Sequence, residues 1–313
     1  MKYYIKKIIT LIISLFLATL IVFLAFSIIP GDAAATKLGT NATVEQIEAL
    51  REEMGLNDPV IVRYANWIKG ALTGDFGESL QYTGVSVSSL IASRLPNSAM
   101  LSLLAFLMII IFSIPTGIFS AKRKSAPARG SITVITQVCM GIPSFFLGVL
   151  LTYLFSLILG WFQLGNYPGL GENFFAGVSY LIFPAIAIAV PKIAMTSRFL
   201  TNSIRSELHK DYVRTAYAKG NTRNAVLYKH VLKNSMVPVV TFLGIVIADV
   251  VAGSIIVEQV FSVPGIGLLL ITAITNRDYN VASAVVLIMA CFVIIINFMV
   301  DMIYKAVDPR VEI

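Results

Sequence analysis

Long apolar runs alternate with short polar stretches along the whole chain. Runs of about 20 apolar residues are long enough to span a bilayer. Six are read at roughly 8–29, 98–120, 132–159, 176–197, 236–257 and 281–304. They predict six transmembrane helices with both termini on one side. Gly141-Ile142-Pro143-Ser144 interrupts the third run, Pro184 and Pro191 the fourth, and Gly244 and Gly253 lie in the fifth. Interrupted backbone is tolerated in a membrane where it is buried in protein or lines a wet cavity. Small residues also let helices approach closely.

The polar stretches predict short helices of their own. Between the first and second spans, residues 30–95 form an insertion. Thr43 with Gln46 makes a capping box, and Gly55 stops that helix. Asp58 as N-cap and Pro59 at the first helical position open a second helix, running to Gly70 or Gly74. Ser86 to Arg94 reads as a third, at the membrane surface before Pro96, and Tyr64, Trp67 and Tyr82 suit an interfacial layer. The insertion reads equally as a docking surface for delivered substrate or as a cap on the outer helix ends. The most basic stretch, 198–235, predicts two short helices. In the first, Asp211 is the N-cap and Gly220 lies just past the end, with Tyr212, Val213, Ala216 and Tyr217 as an apolar stripe. The second starts after Thr222 and runs toward Asn234. Such a helix suits a partner's groove, whereas a plain basic loop would only set topology.

Charge assigns the sides. Lys2, Lys6, Lys7, Lys122, Arg123, Lys124, Arg129, nine cations between Lys192 and Lys233, Lys305 and Arg310 fall on the side of the termini. Lys37, Arg51, Arg63, Lys69, Arg94 and Arg277 fall on the other. The positive-inside rule therefore predicts cytoplasmic termini and a cytoplasmic central segment. This asymmetry accounts for the net charge of +7 and gives no argument for nucleic acid. With 57% hydrophobic and 13% charged residues, the chain is not a soluble globular domain. Lys2–Lys7, an apolar run and Ala33-Ala34-Ala35 resemble a secretory signal, but the run is long and five spans follow, so it reads as an uncleaved first helix.

The candidate chemistry is sparse. Cys139 and Cys291 sit in apolar runs and imply no disulfide framework, and no spacing suggests a metal site or another cofactor. No Gly-x4-Gly-Lys-Ser/Thr occurs, and the two histidines, His209 and His230, are both in the central segment. A nucleotide-burning pump, a zinc hydrolase and a histidine proton relay therefore lack their residues. Asp249 stands apart, because a carboxylate near mid-span is expensive and is a functional candidate by default. It suits a substrate ammonium group or a donor from a partner subunit. Asp301 and Asn297 read as structural. The chain reads as a pathway that something else drives.

The run Asp211-Tyr212-Val213-Arg214-Thr215-Ala216-Tyr217-Ala218-Lys219-Gly220 resembles the coupling-helix motif of bacterial ABC-importer permeases, in the dipeptide/oligopeptide/nickel branch and its first-permease subunit. Pro30-Gly31-Asp32, Leu50–Leu56, Gly74-Asp75-Phe76-Gly77, Arg94-Leu95-Pro96 and Ile142-Pro143-Ser144-Phe145 match in order. So do Val257–Ser262, Pro264-Gly265-Ile266-Gly267, Arg277-Asp278-Tyr279 and Asp308-Pro309-Arg310. Arg214 occupies the position of the general motif's Glu, and Leu232-Lys233 that of its Leu-Pro pair. Tyr217 stands where many relatives carry Arg, and Asp249 where many carry a small residue.

The resemblance implies an all-α polytopic membrane protein of the type I importer permease fold. Residues 1–29 form the first helix and 30–95 the extracytoplasmic helical insertion. Residues 96–305 form the type-1 transmembrane domain with its coupling segment 198–235, and 306–313 a cytoplasmic tail. It further implies a transport subunit without an ATPase site of its own, in a bacterial cell membrane. Its partners are a second permease, two P-loop ATPases, an extracytoplasmic binding protein and membrane lipid. Asp211–Gly220 dock on an ATPase, and Pro143, Ser144, Asp249, Gly253 and Ser254 are the candidate translocation residues. Peptides are the expected cargo, with nickel, a metal chelate or glutathione as alternatives. The scarcity of histidine speaks against bare metal ions. Outside this class stand a self-contained channel and an intramembrane enzyme, the latter needing paired catalytic groups where the spans offer Asp249.

Overall fold

The computed structural model describes residues 2–28, 33–38, 42–123 and 125–307. Its helices in chain order are α1 (Lys2–Ile28), α2 (Ala33–Leu38), α3 (Val44–Glu53), α4 (Val60–Thr73), α5 (Val87–Lys122), α6 (Ala126–Gly141) and α7 (Ser144–Leu151). They continue with α8 (Phe174–Glu207), α9 (Asp211–Ala218), α10 (Arg223–Ala225), α11 (Leu232–Phe261), α12 (Ile266–Thr275) and α13 (Tyr279–Val307). Wider π-helical turns extend α7 over Thr152–Ile158 and join α10 to α11 over Val226–Val231. Among the described residues five helices are long and apolar enough to cross a membrane, and six if the bent α6–α7 pair is one span. The motifs Pro30-Gly31-Asp32 and Asp308-Pro309-Arg310 lie outside the described residues.

Several element limits differ from the sequence reading. Residues 86–94 form no separate surface helix, because α5 runs unbroken through Pro96 for 36 residues. Neither Pro184 and Pro191 in α8 nor Pro238 in α11 breaks its helix. Neighbouring helices hold such positions in register, so a proline in a bundle marks a local loss of one hydrogen bond. The third span does break. Ile142 is forced extended by Pro143, and the two halves meet at 92°. Thr43 caps α3 as a complete capping box, but Pro59 rather than Asp58 is the cap residue of α4. Lys210, not Asp211, occupies the cap position of α9. Beyond Thr222, which does cap α10, the expected second short helix has no end of its own and runs on into α11. The apolar helix α12 was not expected at all.

The chain divides into two compact units, and α5 and α13 contribute to both. One comprises residues up to Ser98 together with Val263–Ile295. There α4 lies along the second half of α1: the Tyr64 ring sits 5.2 Å from Phe23 and 6.4 Å from Phe16, Trp67 sits 5.8 Å from Phe23, and the Tyr64 and Thr19 hydroxyls are 2.8 Å apart. A second contact pins the loop after α4 to the start of α13. The buried Asp278 carboxylate accepts from the Ser79 hydroxyl, from Gln81 N–H at 3.3 Å and from Val281 N–H at 3.3 Å. Asn280 donates to the Glu78 carbonyl and Asn276 to Gln81 Oε1. Asn97 donates to the Pro264 carbonyl, and Ser98 Oγ accepts from Ile266 N–H, which sets the entry to α12.

The other unit, Ala99–Ser262 with residues from Ile296, packs α8 against α6, α7 and α11. Small residues make the approach close. A Cβ on Gly117 would lie 2.9 Å from Leu200, and the Thr201 hydroxyl donates to the Gly117 carbonyl. A Cβ on Gly244 would lie only 2.0 Å from Val300, so α11 and α13 touch where no other residue fits. Phe162, Phe183, Tyr180 and Phe261 form an aromatic cluster, and Tyr180 donates to the Phe261 carbonyl at 2.7 Å.

Candidate functional site

The basic segment with the candidate docking helix is built on the end of α8. The Glu207 carboxylate accepts from the Tyr212 hydroxyl at 2.7 Å and from Lys210, holding α9 at the turn. Burial, then Glu207's hydrogen bond and negative charge, raises the Tyr212 phenol above its usual value, so it stays a donor. Gly220, at φ +81°, ends α9 in a left-handed turn that a side chain would strain. Asn221 then returns a hydrogen bond to the Ala216 carbonyl at 3.0 Å.

The apolar stripe of α9 divides. Val213 and Ala216 are buried within this chain, where α9 packs on Val226–Val231. Tyr212 is half-buried, and Tyr217 is exposed. On a helical wheel the four cover about 140°, with Ala216 and Val213 in the middle and the tyrosines at the edges. The inner pair is therefore core. Asp211, Arg214, Thr215, Tyr217, Ala218 and Lys219 make the outward surface. The Asp211–Arg214 pair, 3.7 Å apart and almost fully exposed, adds little. Tyr217 edges a cavity of about 80 Å³ shared with Lys122, Arg223 and Leu227. Lys122 itself donates to the Tyr228 hydroxyl at 3.0 Å and lies over that ring, while Arg223 donates to the Lys122 carbonyl.

Within the spans, Asp249 is paired inside the chain. Lys192 of α8 reaches its Oδ2 at 2.6 Å, with the lysine 22% and the carboxylate 48% exposed. Lys192 therefore leaves the set of cytoplasmic cations in which charge counting placed it. Asp249 lies with Ile245, Ala252 and Ile256 on the open side of α11. Gly253 opens onto empty space, but Ser254 turns inward, donating to Val251 O at 2.9 Å and facing the fully buried Glu258 at 3.3 Å. Pro143 and Ser144 form the α6–α7 bend and share no hydrogen bond with Asp249. The five candidate translocation residues are thus not one constellation. Lys192, Glu258 and Asp278 were missed as partners. A lone cation inside one apolar run and a lone acid inside another was the available signal.

Among the described residues, five or six helices long and apolar enough to cross a membrane, with an ion pair joining two of them, make this a multi-pass membrane protein. The chain belongs to the family described as binding-protein-dependent transport system inner membrane component, whose pattern matches residues 113–313, with the family's N-terminal component matching 1–103. It is 37% identical over 296 residues to the oligopeptide transport system permease protein AppB of Bacillus subtilis, covering 94% of each chain. It is 33% identical over 310 residues to the probable peptide ABC transporter permease protein y4tP of Sinorhizobium fredii, covering 99% of each. The glutathione transport system permease protein GsiC of Escherichia coli K12 is 35% identical over 313 residues, covering 100% of this chain and 99% of that one. Among solved structures, a chain of the inward-facing MetNI methionine ABC transporter superposes with a TM-score of 0.58 at 17% identity, covering 70% of this chain and 96% of that one. The fold is that of a type I ABC importer permease.

Proposed function

We propose that this chain forms half of the translocation pathway of an ATP-driven importer for di- and oligopeptides. Its partners are a second, homologous permease, two P-loop ATPases and an extracytoplasmic binding protein. The observation that carries the cargo is the near full-length similarity to relatives named as peptide permeases. Glutathione is the second reading, favoured by the similarity to GsiC, and is itself a small peptide. Both termini lie in the cytoplasm of a bacterial cell, a reading that the distribution of Lys and Arg supports.

The outward face of α9 docks on one ATPase, and closure of the ATPase pair moves the bundles as rigid bodies to alternate access. Gly220 sets the end of the docking helix, while Val213 and Ala216 hold it to this chain. The open side of α11 with Asp249 and Gly253, and the bend at Pro143-Ser144, line the path. A charged pair facing lipid is too costly, so Lys192 and Asp249 face the cavity or the second permease.

The test is reconstitution of the chain with its partner permease, ATPases and binding protein in liposomes. Uptake of a labelled tripeptide should require ATP and the loaded binding protein. Nucleotide-independent flux would show a channel instead. Single cysteines at Ser125, Asn57 and Gln81, in a background lacking Cys139 and Cys291, test the topology. An impermeant reagent should label the latter two and spare the first.

A further inference from the structure

On α8, Arg198, Asn202 and Arg205 share one face at i, i+4 and i+7. They face Thr133 and Thr136 on α6, with Ser120 at the end of α5, across a cavity of about 230 Å³. The lining contains two guanidinium groups and no acid. Arg198 makes no hydrogen bond or ion pair with the described residues, and the side chain of Arg205 makes one, from Nη2 to the Ser120 carbonyl at 3.4 Å. Of ten guanidinium N–H donors, nearly all are therefore unspent inside a concave, polar site.

An arginine that only reaches for water at the membrane edge needs no polar wall opposite it. Here the opposing helix turns threonines at i and i+3 toward the arginines, and α8 adds Asn202. Arg198 and Arg205 stand nine and two residues before the end of α8, about 13 Å and 3 Å along its axis. On the topology proposed above, with the fourth span ending near residue 197, that range begins at the inner boundary of the membrane, where anionic phosphodiesters lie. Guanidinium forks match the paired oxygens of phosphate better than any other side chain.

We propose that this cavity is a phosphate-binding site at the cytoplasmic end of the bundle, closed by Arg198 and Arg205. Its occupant is the headgroup of an anionic phospholipid or a free cytosolic phosphate, which present the same oxyanion.

The experiment uses the assembled transporter in nanodiscs mixing phosphatidylcholine and phosphatidylglycerol, with the lipid retained after detergent transfer counted by native mass spectrometry. Phosphatidylglycerol should be retained above its share of the mixture. Retention should fall roughly tenfold in Arg198→Gln and Arg205→Gln, as loss of a charge-assisted bond implies, and stay unchanged in Lys229→Gln, which removes equal charge outside the cavity. In discs of phosphatidylcholine alone, millimolar inorganic phosphate should raise the melting temperature only if the free anion is the occupant. Arg198→Lys keeps the charge without the fork and should give intermediate retention. Should a glutamine variant fail to assemble, the wild-type competition decides alone. Retention of phosphatidylglycerol no greater than its share, with no phosphate-dependent stabilisation, overturns the site, as does equal loss in Lys229→Gln.

Discussion

The loop strapped by Asp278 and the segment from Arg198 to Tyr217 are both polar interruptions of an apolar chain, and they are finished in opposite ways. Around Asp278 the hydrogen bonds close within this chain: Ser79, Gln81 and Val281 satisfy the carboxylate, and Asn276 and Asn280 tie the flanking turns. Between Arg198 and Tyr217 donors are left over, with Arg198 making no bond among the described residues and Arg214 and Tyr217 turned outward. A polar group that is buried and satisfied anchors a fold. One left open in a concave or projecting position awaits something outside the chain. The comparison separates residues that build the subunit from residues that connect it.

The largest effect should come from breaking the anchor. Asp278→Ala removes a buried acceptor and strands the Ser79 hydroxyl and Val281 N–H, while Gln81 N–H keeps Ser79 Oγ, at a cost of about 3 kcal/mol. The variant should accumulate poorly and unfold earlier in a detergent melt, with transport lost in proportion to the protein lost. A variant that assembles at wild-type levels but does not transport would move Asp278 into the connecting class.

The connecting surface should answer differently to two neighbouring substitutions. Tyr217→Ala leaves the bundle intact and removes an exposed aromatic, which in a docked groove is worth about 2 kcal/mol. The complex should assemble, yet binding-protein stimulation of ATP hydrolysis and cargo uptake should both fall. Ala216→Glu instead puts a charge into this chain's own core and should lower stability before any ATPase is met. Normal ATPase stimulation and uptake in Tyr217→Ala would reduce α9 to a charged loop.

How far the sequence reached follows the same division. Features fixed by local chemistry were legible: the spans from their apolar length, the capping box at Thr43, the break before Pro143, the left-handed stop at Gly220. Features fixed by which side of a helix meets which neighbour were not. The stripe of α9 is visible as a stripe, but nothing local says that its middle is core and its edges are free. Lys192 and Asp249 are 57 positions apart, and only the packing of α8 on α11 brings them together. Pro96 misled because a proline's local cost was taken as a helix boundary, whereas α5 absorbs it.

That pair belongs to neither class cleanly and gives the smallest expected effect on stability. Its groups are partly exposed, so the attraction is screened and the bond alone is worth about 1 kcal/mol or less. What it prevents matters more. Asp249→Ala leaves Lys192 as an uncompensated cation inside a span, and Lys192→Met leaves the carboxylate in the same position. Each single variant should therefore melt lower than the double variant, which removes both charges and should stay within about 1 kcal/mol of wild type. Transport separates the roles. If the pair faces the path, the double variant should assemble normally yet lose its preference between a tripeptide with free termini and its N-acetylated form. An α8–α11 latch alone would leave that preference unchanged. Equal destabilisation in both singles and the double would show that neither charge is compensated by the other, and the pairing would lose its energetic meaning.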